Sequence, residues 1–234
     1  MVIMLKRCLS GLIQLLYPKN CEACNNWLAE GEEVLCLHCS VLLPRTGFHN
    51  ISNNQAMQKF TGRVPVEYAT SFVYFSGEGI MQHLLHRFKY KEKPAIGRYL
   101  GRLLAEELLA GGYLNGIETI VPVPLHRVKL EKRGFNQSAV IAEGMSGSGN
   151  IPVEQGCLVR TVNNESQTHK TRAQRIENVQ GIFSVQDSHK LEGKHILLVD
   201  DVLTTGATLE SAARELLGIS DIKISIATIA LAID

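Results

Sequence analysis

The chain has 234 residues, of which 45% are hydrophobic and 20% charged, a composition that excludes bulk disorder. Its formal net charge of +1 argues against a uniformly basic nucleic-acid-binding protein. The charges are nevertheless segregated, because residues 83–102, 126–137 and 160–175 together carry 14 Lys and Arg against 3 acidic residues. These segments have a net charge of +11, so the rest of the chain carries −10.

The first 18 residues predict a short amphipathic helix that packs on the protein, since Leu5, Leu9, Leu12 and Leu16 follow helical spacing. Charged and polar residues interrupt this stretch, which argues against a signal peptide. No apolar run reaches the ~18 residues needed to span a bilayer. We therefore expect a cytoplasmic protein without a transmembrane segment. Binding of the helix to a membrane surface is the less favoured alternative.

Two cysteine pairs predict a zinc site near the N-terminus. Two residues lie between Cys21 and Cys24, two lie between Cys36 and Cys39, and eleven residues separate the pairs. Each CxxC turn directs two thiolates towards one point, and thiolates suit Zn²⁺. Four protein ligands leave no open position, so this zinc is expected to be structural. Two redox pairs are the alternative reading, and His38 could replace one sulfur.

The rest of the chain predicts an α/β protein. A polar stretch at 46–65 is typical of a loop or linker, and strands and helices alternate after it. A short apolar run such as 195–199 is typical of a parallel strand buried on both faces. This order predicts a parallel sheet with right-handed crossovers. The predicted strands are 67–75, 119–123, 181–185, 195–199 and 222–232, and the predicted helices are 80–88, 95–110, 136–145 and 207–217.

One strand–turn–helix segment has the composition of a phosphate site. A buried strand ends at two acidic residues, and a hydroxyl-rich turn with one glycine leads into a helix, whose unpaired N–H groups and dipole favour an anion. Carboxylates repel a phosphate, so they indicate a ligand that also carries hydroxyls or Mg²⁺, such as a ribose 5-phosphate. An ordinary helix cap is the alternative. The residues are Asp200, Asp201, Thr204, Thr205, Gly206, Ala207 and Thr208.

The segment VDDVLTTGAT resembles the phosphoribosyl pyrophosphate (PRPP) signature of type I phosphoribosyltransferases. Together with residues 121–137, residues 167–183 and the cysteine pairs, it resembles the ComF family of competence proteins. The resemblance implies a type I phosphoribosyltransferase-like (Rossmann-like) parallel sheet with helices on both faces and a small zinc-binding subdomain. We expect residues 1–62 to hold the N-terminal helix, zinc knuckle and linker, and residues 63–234 to form the phosphoribosyltransferase-like domain.

The same resemblance implies roles for further residues. Pro124 and Arg127 fall in a first loop that contacts pyrophosphate. Residues 163–175 match a second loop that closes over the reaction, with Lys170, Arg172 and Arg175 as its cations. Catalysis would then depend on Asp200, Asp201, Lys170 and Arg172, with Mg²⁺ bound beside PRPP.

Thr204 departs from the purine-salvage enzymes, which carry an aspartate at this position, so a hypoxanthine–guanine substrate is not expected. Three functions remain open. The chain transfers phosphoribosyl from PRPP to an unidentified acceptor, or it senses PRPP without catalysis, or it handles incoming single-stranded DNA in natural competence. The third function implies competence helicase or processing proteins as partners.

The basic segments supply candidate residues for a DNA interface. Phe88, Tyr90 and Phe135 could offer stacking surfaces, although core packing is the alternative for such aromatic residues. A solvated surface is likewise the alternative for the lysines. The candidate cations are Lys89, Lys91, Lys129, Lys132 and Arg133.

Overall fold

The computed structural model describes residues 19–90, 93–161 and 181–233. Its centre is a four-stranded sheet in the order β1–β6–β5–β2, and all three strand pairs are parallel. The predicted α/β class with a parallel sheet is therefore confirmed. The strands are β1 (Ala69–Phe75), β2 (Thr119–Pro122), β5 (His195–Leu203) and β6 (Lys223–Ala232), while β3 (Leu158–Arg160) and β4 (Phe183–Val185) form a separate antiparallel pair.

Helices cover both faces of the sheet. The sequence HILLV at the start of β5 is a continuous apolar run because its side chains enter two cores. Leu197 and Val199 contact one core, whereas Ile196 and Leu198 contact the other. The helices are α1 (Leu37–Val41), α2 (Gln55–Gln58), α3 (Gly79–Tyr90), α4 (Pro94–Ala110), α5 (Arg127–Arg133), α6 (Gln137–Gly149) and α7 (Ala207–Leu216).

Helices α4 and α6 approach each other closely at glycines. A Cβ atom on Gly101 would lie 2.3 Å from the backbone oxygen of Ile141, and one on Gly144 would lie 2.2 Å from that of Arg98. Neither position leaves room for a side chain, so the two backbones touch. This contact fixes α6, whose first turn supplies residues to the cavity described below.

The predicted loop or linker at 46–65 is instead an ordered part of the core. Asn54 caps α2 by accepting a hydrogen bond from the N–H of Met57 at 3.0 Å. Phe48, Phe60 and Val64 are buried against the α7 side of the sheet. These apolar anchors are spaced too widely among polar residues to give a periodic signal. The boundary at residue 62 remains a prediction.

Strand β5 and helix α5 also differ from the sequence prediction. Strand β5 continues to Leu203, four residues beyond the predicted end, so the acidic pair belongs to the strand itself. Helix α5 was not predicted, because its sequence RVKLEKR has no buried residue that could mark an apolar face. It is stabilised by a cap, in which Nδ1 of His126 accepts from the N–H of Val128, and by an ion pair between Arg127 and Glu131.

Candidate functional site

A cavity of about 440 Å³ lies at the carboxyl ends of β1, β5 and β2. Ligands bind at this edge of open α/β sheets because strand ends and helix N-termini converge there. Acidic, basic and aromatic side chains all contribute to the cavity wall. Its lining includes Phe75, Gln82, His86, Lys89, Tyr90, Pro124, Leu125, Arg133, Gln137, Ser138, Arg160, Asp200, Asp201, Thr204 and Thr208.

The turn from β5 to α7 has the geometry of an anion site. Gly206 has a φ angle of +82°, a left-handed conformation that residues with a side chain rarely adopt. The turn is braced from outside the cavity, since Nη1 of Arg63 donates to the carbonyl of Thr205 at 2.9 Å and the Arg63 guanidinium pairs with Glu210. The ten-residue helix α7 begins at this turn, between Thr204 and Thr208 of the cavity lining, and the N–H of Ala207 donates to Oγ1 of Thr205 at 3.4 Å.

The acidic pair is held in place by two other helices. Asp200 accepts hydrogen bonds at Oδ1 from the Ser138 hydroxyl (2.8 Å) and from the N–H of Asp201 (2.9 Å). Asp201 forms an ion pair with Lys89, whose Nζ lies 2.8 Å from Oδ2. Ser138 belongs to α6 and Lys89 to α3, so both helices fix the carboxylates at the cavity wall.

The two carboxyl groups differ in their surroundings. Burial raises the pKa of Asp200 to about 7, and the adjacent charge of Asp201 adds to this effect. The donors on Ser138 and Asp201 and the charge of Lys89 act in the opposite direction without cancelling it. Asp200 is therefore partly protonated near neutral pH in the free protein.

This raised pKa predicts a pH-dependent gain in stability for Asp200→Asn. The folded wild type loses stability as the pH rises from the pKa of the unfolded state, near 4, through about 7, because ionisation of the half-buried Asp200 is disfavoured. The variant has no such ionisation. Between pH 5.5 and 8.5 we expect the amount by which the free energy of unfolding of Asp200→Asn exceeds that of the wild type to grow by about 2 kcal/mol.

The measurement is urea denaturation of the zinc-loaded protein at both pH values. Glu143→Gln is a matched control, since it removes one exposed acid from a surface pair with Arg98. If Asp200→Asn changes the free energy of unfolding equally at the two pH values, the raised pKa of Asp200 is contradicted.

The cavity wall also contains two residues, Gln137 and Ser138, that were not predicted as site residues. Gln137 is 1% exposed, and its Oε1 accepts from Nη1 of Arg133 at 2.9 Å. Its Nε2 has no hydrogen-bond partner among the described residues. Arg133 lies over the ring of Tyr90 at 5.7 Å. Gln137 is the last residue of the block at 121–137 that carries the family resemblance, and Ser138 directly follows it, so this position was the available signal.

A third cation reaches the cavity from β3. The guanidinium of Arg160 lies over the ring of Phe183 at 5.4 Å, and its Nε has no hydrogen-bond partner among the described residues. Burial lowers the pKa of Arg160, while the charge of Asp200 acts to raise it. An anionic ligand would satisfy this donor and offset the burial of the charge.

The predicted site residues fall into three groups. Pro124 lines the cavity together with the acidic pair, Thr204 and Thr208, whereas Thr205, Gly206 and Ala207 of the turn do not line it. Arg127 does not line it: its side chain is 87% exposed and pairs with Glu131. The predicted closing loop lies outside the described residues, as do the N-terminal helix and four of the predicted cations. These four are Lys91, Lys170, Arg172 and Arg175.

The predicted DNA-binding residues that the structure describes lie on α3 and α5. Lys89 and Arg133 line the cavity, where the ammonium of Lys89 is already paired with Asp201. Lys129 and Lys132 lie on α5, as Arg133 does, and do not line the cavity. Among the aromatic candidates, Phe88 is fully buried and contacts Phe135 at 5.6 Å, whereas Tyr90 is exposed.

The four knuckle cysteines converge at one point. Their sulfur atoms all lie within 4.8 Å of one another, and Sγ of Cys24 is 3.7 Å from Sγ of Cys36. A tetrahedral zinc with bonds of about 2.3 Å would separate two sulfurs by about 3.8 Å. The predicted cluster is therefore confirmed as a group that could bind a metal, and it comprises Cys21, Cys24, Cys36 and Cys39.

Backbone donors prepare one of these thiols for a metal. Burial opposes ionisation of Cys21, but N–H groups of Cys24, Cys36 and Ala23 outweigh it and lower the pKa of this thiol to about 7. Burial raises the pKa of Cys39. A bound cation would offset the burial of these thiolates, because metal ligation requires the deprotonated form.

Residues 97–233 match the profile of the phosphoribosyl transferase domain, which is more than half of the chain. The chain belongs to the phosphoribosyl transferase domain family. The match includes β2, β5 and β6 and the turn at Gly206, and it begins after α3. The fold class expected from the family resemblance, with helices on both faces of a parallel sheet, is thereby confirmed.

Named relatives of this phosphoribosyl transferase domain protein agree with the ComF resemblance. The DNA utilization protein YhgH of Escherichia coli O157:H7 is 27% identical over 200 residues, which is 84% of this chain and 83% of that protein. Competence protein F of Haemophilus influenzae is 31% identical over 147 residues, which is 60% of this chain and 64% of that protein.

Among solved structures, a glutamine PRPP amidotransferase from B. subtilis has a TM-score of 0.39 to this chain and is 21% identical. It covers 60% of this chain, which in turn spans 30% of that longer protein. Within the part of the chain that the structure describes, no helix is both long and apolar enough to cross a lipid bilayer.

Proposed function

We propose that the chain binds PRPP, or another phosphorylated ribose, together with Mg²⁺. The observation that carries this proposal is the placement of two carboxylates in one cavity with Thr204 and Thr208, which flank a glycine turn at a helix N-terminus. A 5-phosphate would bind the N–H groups and hydroxyls of Thr204–Thr208. Ribose hydroxyls would then meet Asp200 and Asp201. Membership of the phosphoribosyl transferase domain family supports the same ligand.

The acidic pair also fits the proposed metal. Mg²⁺ prefers hard oxygen ligands and is often bound through one or two carboxylates together with substrate phosphates. When bound, it would neutralise charge on the pyrophosphate. Asp200 and Asp201 would orient the ribose and stabilise positive charge that develops on it. Lys170 and Arg172 are proposed to face the leaving pyrophosphate together with Arg175, and Pro124 to border it.

The proposal also covers the metal at the cysteine knuckle, the cellular location of the protein and its division into structural parts. The four cysteines are proposed to hold one structural Zn²⁺. Reduced CxxC pairs suit a reducing compartment, so we place the protein in the cytoplasm. We also propose that residues 1–62 and 63–234 are its two structural parts.

The biological role is proposed from the relatives. One is named a competence protein and another a DNA utilization protein, so we propose a role in natural competence, in the handling of single-stranded DNA with competence helicase or processing proteins. Transfer to an unidentified acceptor and non-catalytic sensing of PRPP are the competing roles. Pyrophosphate release in the presence of candidate acceptors would support phosphoribosyl transfer over non-catalytic sensing. DNA binding that weakens steeply with salt would support the role in handling single-stranded DNA.

Calorimetry with PRPP and Mg²⁺ tests ligand binding, and two glycines offer a matched pair of variants. Gly206 and Gly116 have φ angles of +82° and +80°, so alanine strains both backbones similarly. Only Gly206 lies in the proposed phosphate turn, where a Cβ atom would also approach Phe60 within 3.3 Å. We expect Gly206→Ala to weaken PRPP binding about tenfold and Gly116→Ala to leave it unchanged.

No heat from PRPP with the wild type would overturn the proposed ligand. Equal effects of the two alanine variants would show that binding does not depend on the turn. Ribose 5-phosphate, measured in parallel, reports whether the 5-phosphate alone is enough for binding.

A further inference from the structure

Lys89 has an unusual position for a surface cation. It lies in the last turn of α3, yet its side chain is only 22% exposed and its Nζ is 2.8 Å from Oδ2 of Asp201. The Asp201 side chain is 15% exposed. This ion pair lies inside the cavity, beside the strand end where a ribose and a metal would bind.

The charges around the pair show why a cation is needed there. Asp200 and Asp201 are neighbours on β5, and two such carboxylates withdrawn from water would repel each other. Lys89 is the one cation among residues 19–90, 93–161 and 181–233 that forms an ion pair with Asp201. Arg160 acts on Asp200 from β3 without a direct ion pair.

An independent observation indicates that the cavity is built for a ligand. Gln137 lines it, and the Nε2 atom of this residue is buried and has no partner among the described residues. Its orientation is fixed, because Arg133 donates to the other end of the amide. A buried donor without an acceptor disfavours the ligand-free state, and a bound group with acceptor oxygens would satisfy it.

We propose that Lys89 is an internal counter-ion that occupies the cation position at Asp201 until a divalent cation displaces it. The proposal rests on the proposed function, because the displacing cation would arrive with the phosphorylated ligand. A lysine suits this role, since its ammonium is a compact charge on a flexible four-carbon chain and can withdraw without a change in the backbone.

The consequence is that the ligand-free protein discriminates against free metal ions. A divalent cation alone must compete with Lys89 for Asp201, whereas a cation bound to phosphates gains further contacts at the turn. Lys89 also lowers the repulsion that the acidic pair would exert on an approaching polyanion. Metal and phosphorylated ligand are therefore expected to bind together.

The counter-ion is tested by measuring the affinity of the zinc-loaded full chain for Mn²⁺. Electron paramagnetic resonance detects the bound Mn²⁺, and no phosphorylated ligand is present. Lys89→Met should bind Mn²⁺ about tenfold more tightly than the wild type, because the competing charge is gone. Lys89→Arg should resemble the wild type. Adding Asp201→Asn to Lys89→Met should abolish the gain in Mn²⁺ affinity.

Lys93→Met is the matched control, because Nζ of Lys93 pairs with Glu22 at 3.2 Å and does not line the cavity. It should leave Mn²⁺ affinity unchanged. Circular dichroism confirms that each variant is folded, and Lys89→Gln replaces Lys89→Met if the latter does not fold. An affinity for Mn²⁺ that is unchanged or lower in the folded Lys89 variant overturns the counter-ion. Absence of PRPP binding by the wild type would instead overturn the proposed ligand. The Mn²⁺ measurement contains no PRPP, so its result is independent of PRPP binding.

Discussion

Replacing Asp200 and Asp201 together by asparagine is expected to lower the affinity for PRPP with Mg²⁺ at least about a hundredfold. Each carboxylate is proposed to make a charged contact with a hydroxyl or the metal, and loss of a charged hydrogen bond removes about 1.5–3 kcal/mol. Asparagine preserves the shape of both side chains. It also preserves an acceptor for the Ser138 hydroxyl, which now bonds Asp200 at 2.8 Å.

The control must separate this local effect from a change in total charge. Glu131→Gln with Glu143→Gln removes two exposed acids from surface ion pairs with Arg127 and Arg98. This variant should bind PRPP as the wild type does. Calorimetry that gives the same affinity for the wild type and the aspartate double variant would rule out the acidic pair as the ribose and metal site.

Loss of zinc from the knuckle is expected to destabilise the whole chain by at least about 5 kcal/mol. Structural zinc contributes more than this in small zinc domains, where binding and folding are coupled. The effect should spread, because Cys39, Val34 and Leu35 belong to the same buried cluster as Phe72 of β1 and Met81 of α3. The knuckle and the sheet therefore share one core.

Cys24→Ser and Cys157→Ser form a matched pair for this experiment. Cys24 is one of the four converging cysteines, whereas Cys157 is a buried cysteine outside the cluster. Elemental analysis should find one zinc per chain in the wild type and in Cys157→Ser, and little in Cys24→Ser. Thermal denaturation should show a large loss of stability only in Cys24→Ser. Wild-type protein without metal, when purified under reducing conditions, would refute the zinc assignment.

Much of the fold could be predicted because its strongest signals are local. The apolar run His195–Val199 identified a strand buried on both faces, and the turn at Gly206 identified the start of a helix. The two CxxC spacings identified a cysteine cluster, and the sulfur positions confirm it. Each of these features depends on residues that are close in the sequence, so local conformation alone determines their relative positions.

The rest of the site depends on contacts between distant residues. Lys89 lies 112 positions before Asp201 in the sequence, and the basic segment around it suggested a polyanion surface. Gln137 and Ser138 looked like an ordinary helix start. Only the packing of α6 against β5 and of α3 against α4 brings these side chains to the carboxylates. Arg127 shows the opposite case, since its sequence block suggested the cavity, and helix α5 places it in solvent.

The bracing of the Gly206 turn determines how small a working fragment can be. The family match begins at residue 97, but the turn is held by Arg63 and Phe60, and Lys89 also precedes the match. A fragment limited to 97–233 would lack β1 and leave one edge of β6 unpaired, which favours aggregation. Minimal proteins for binding studies should therefore begin before Cys21, so that the residues that support the turn and the knuckle that shares the core are both retained.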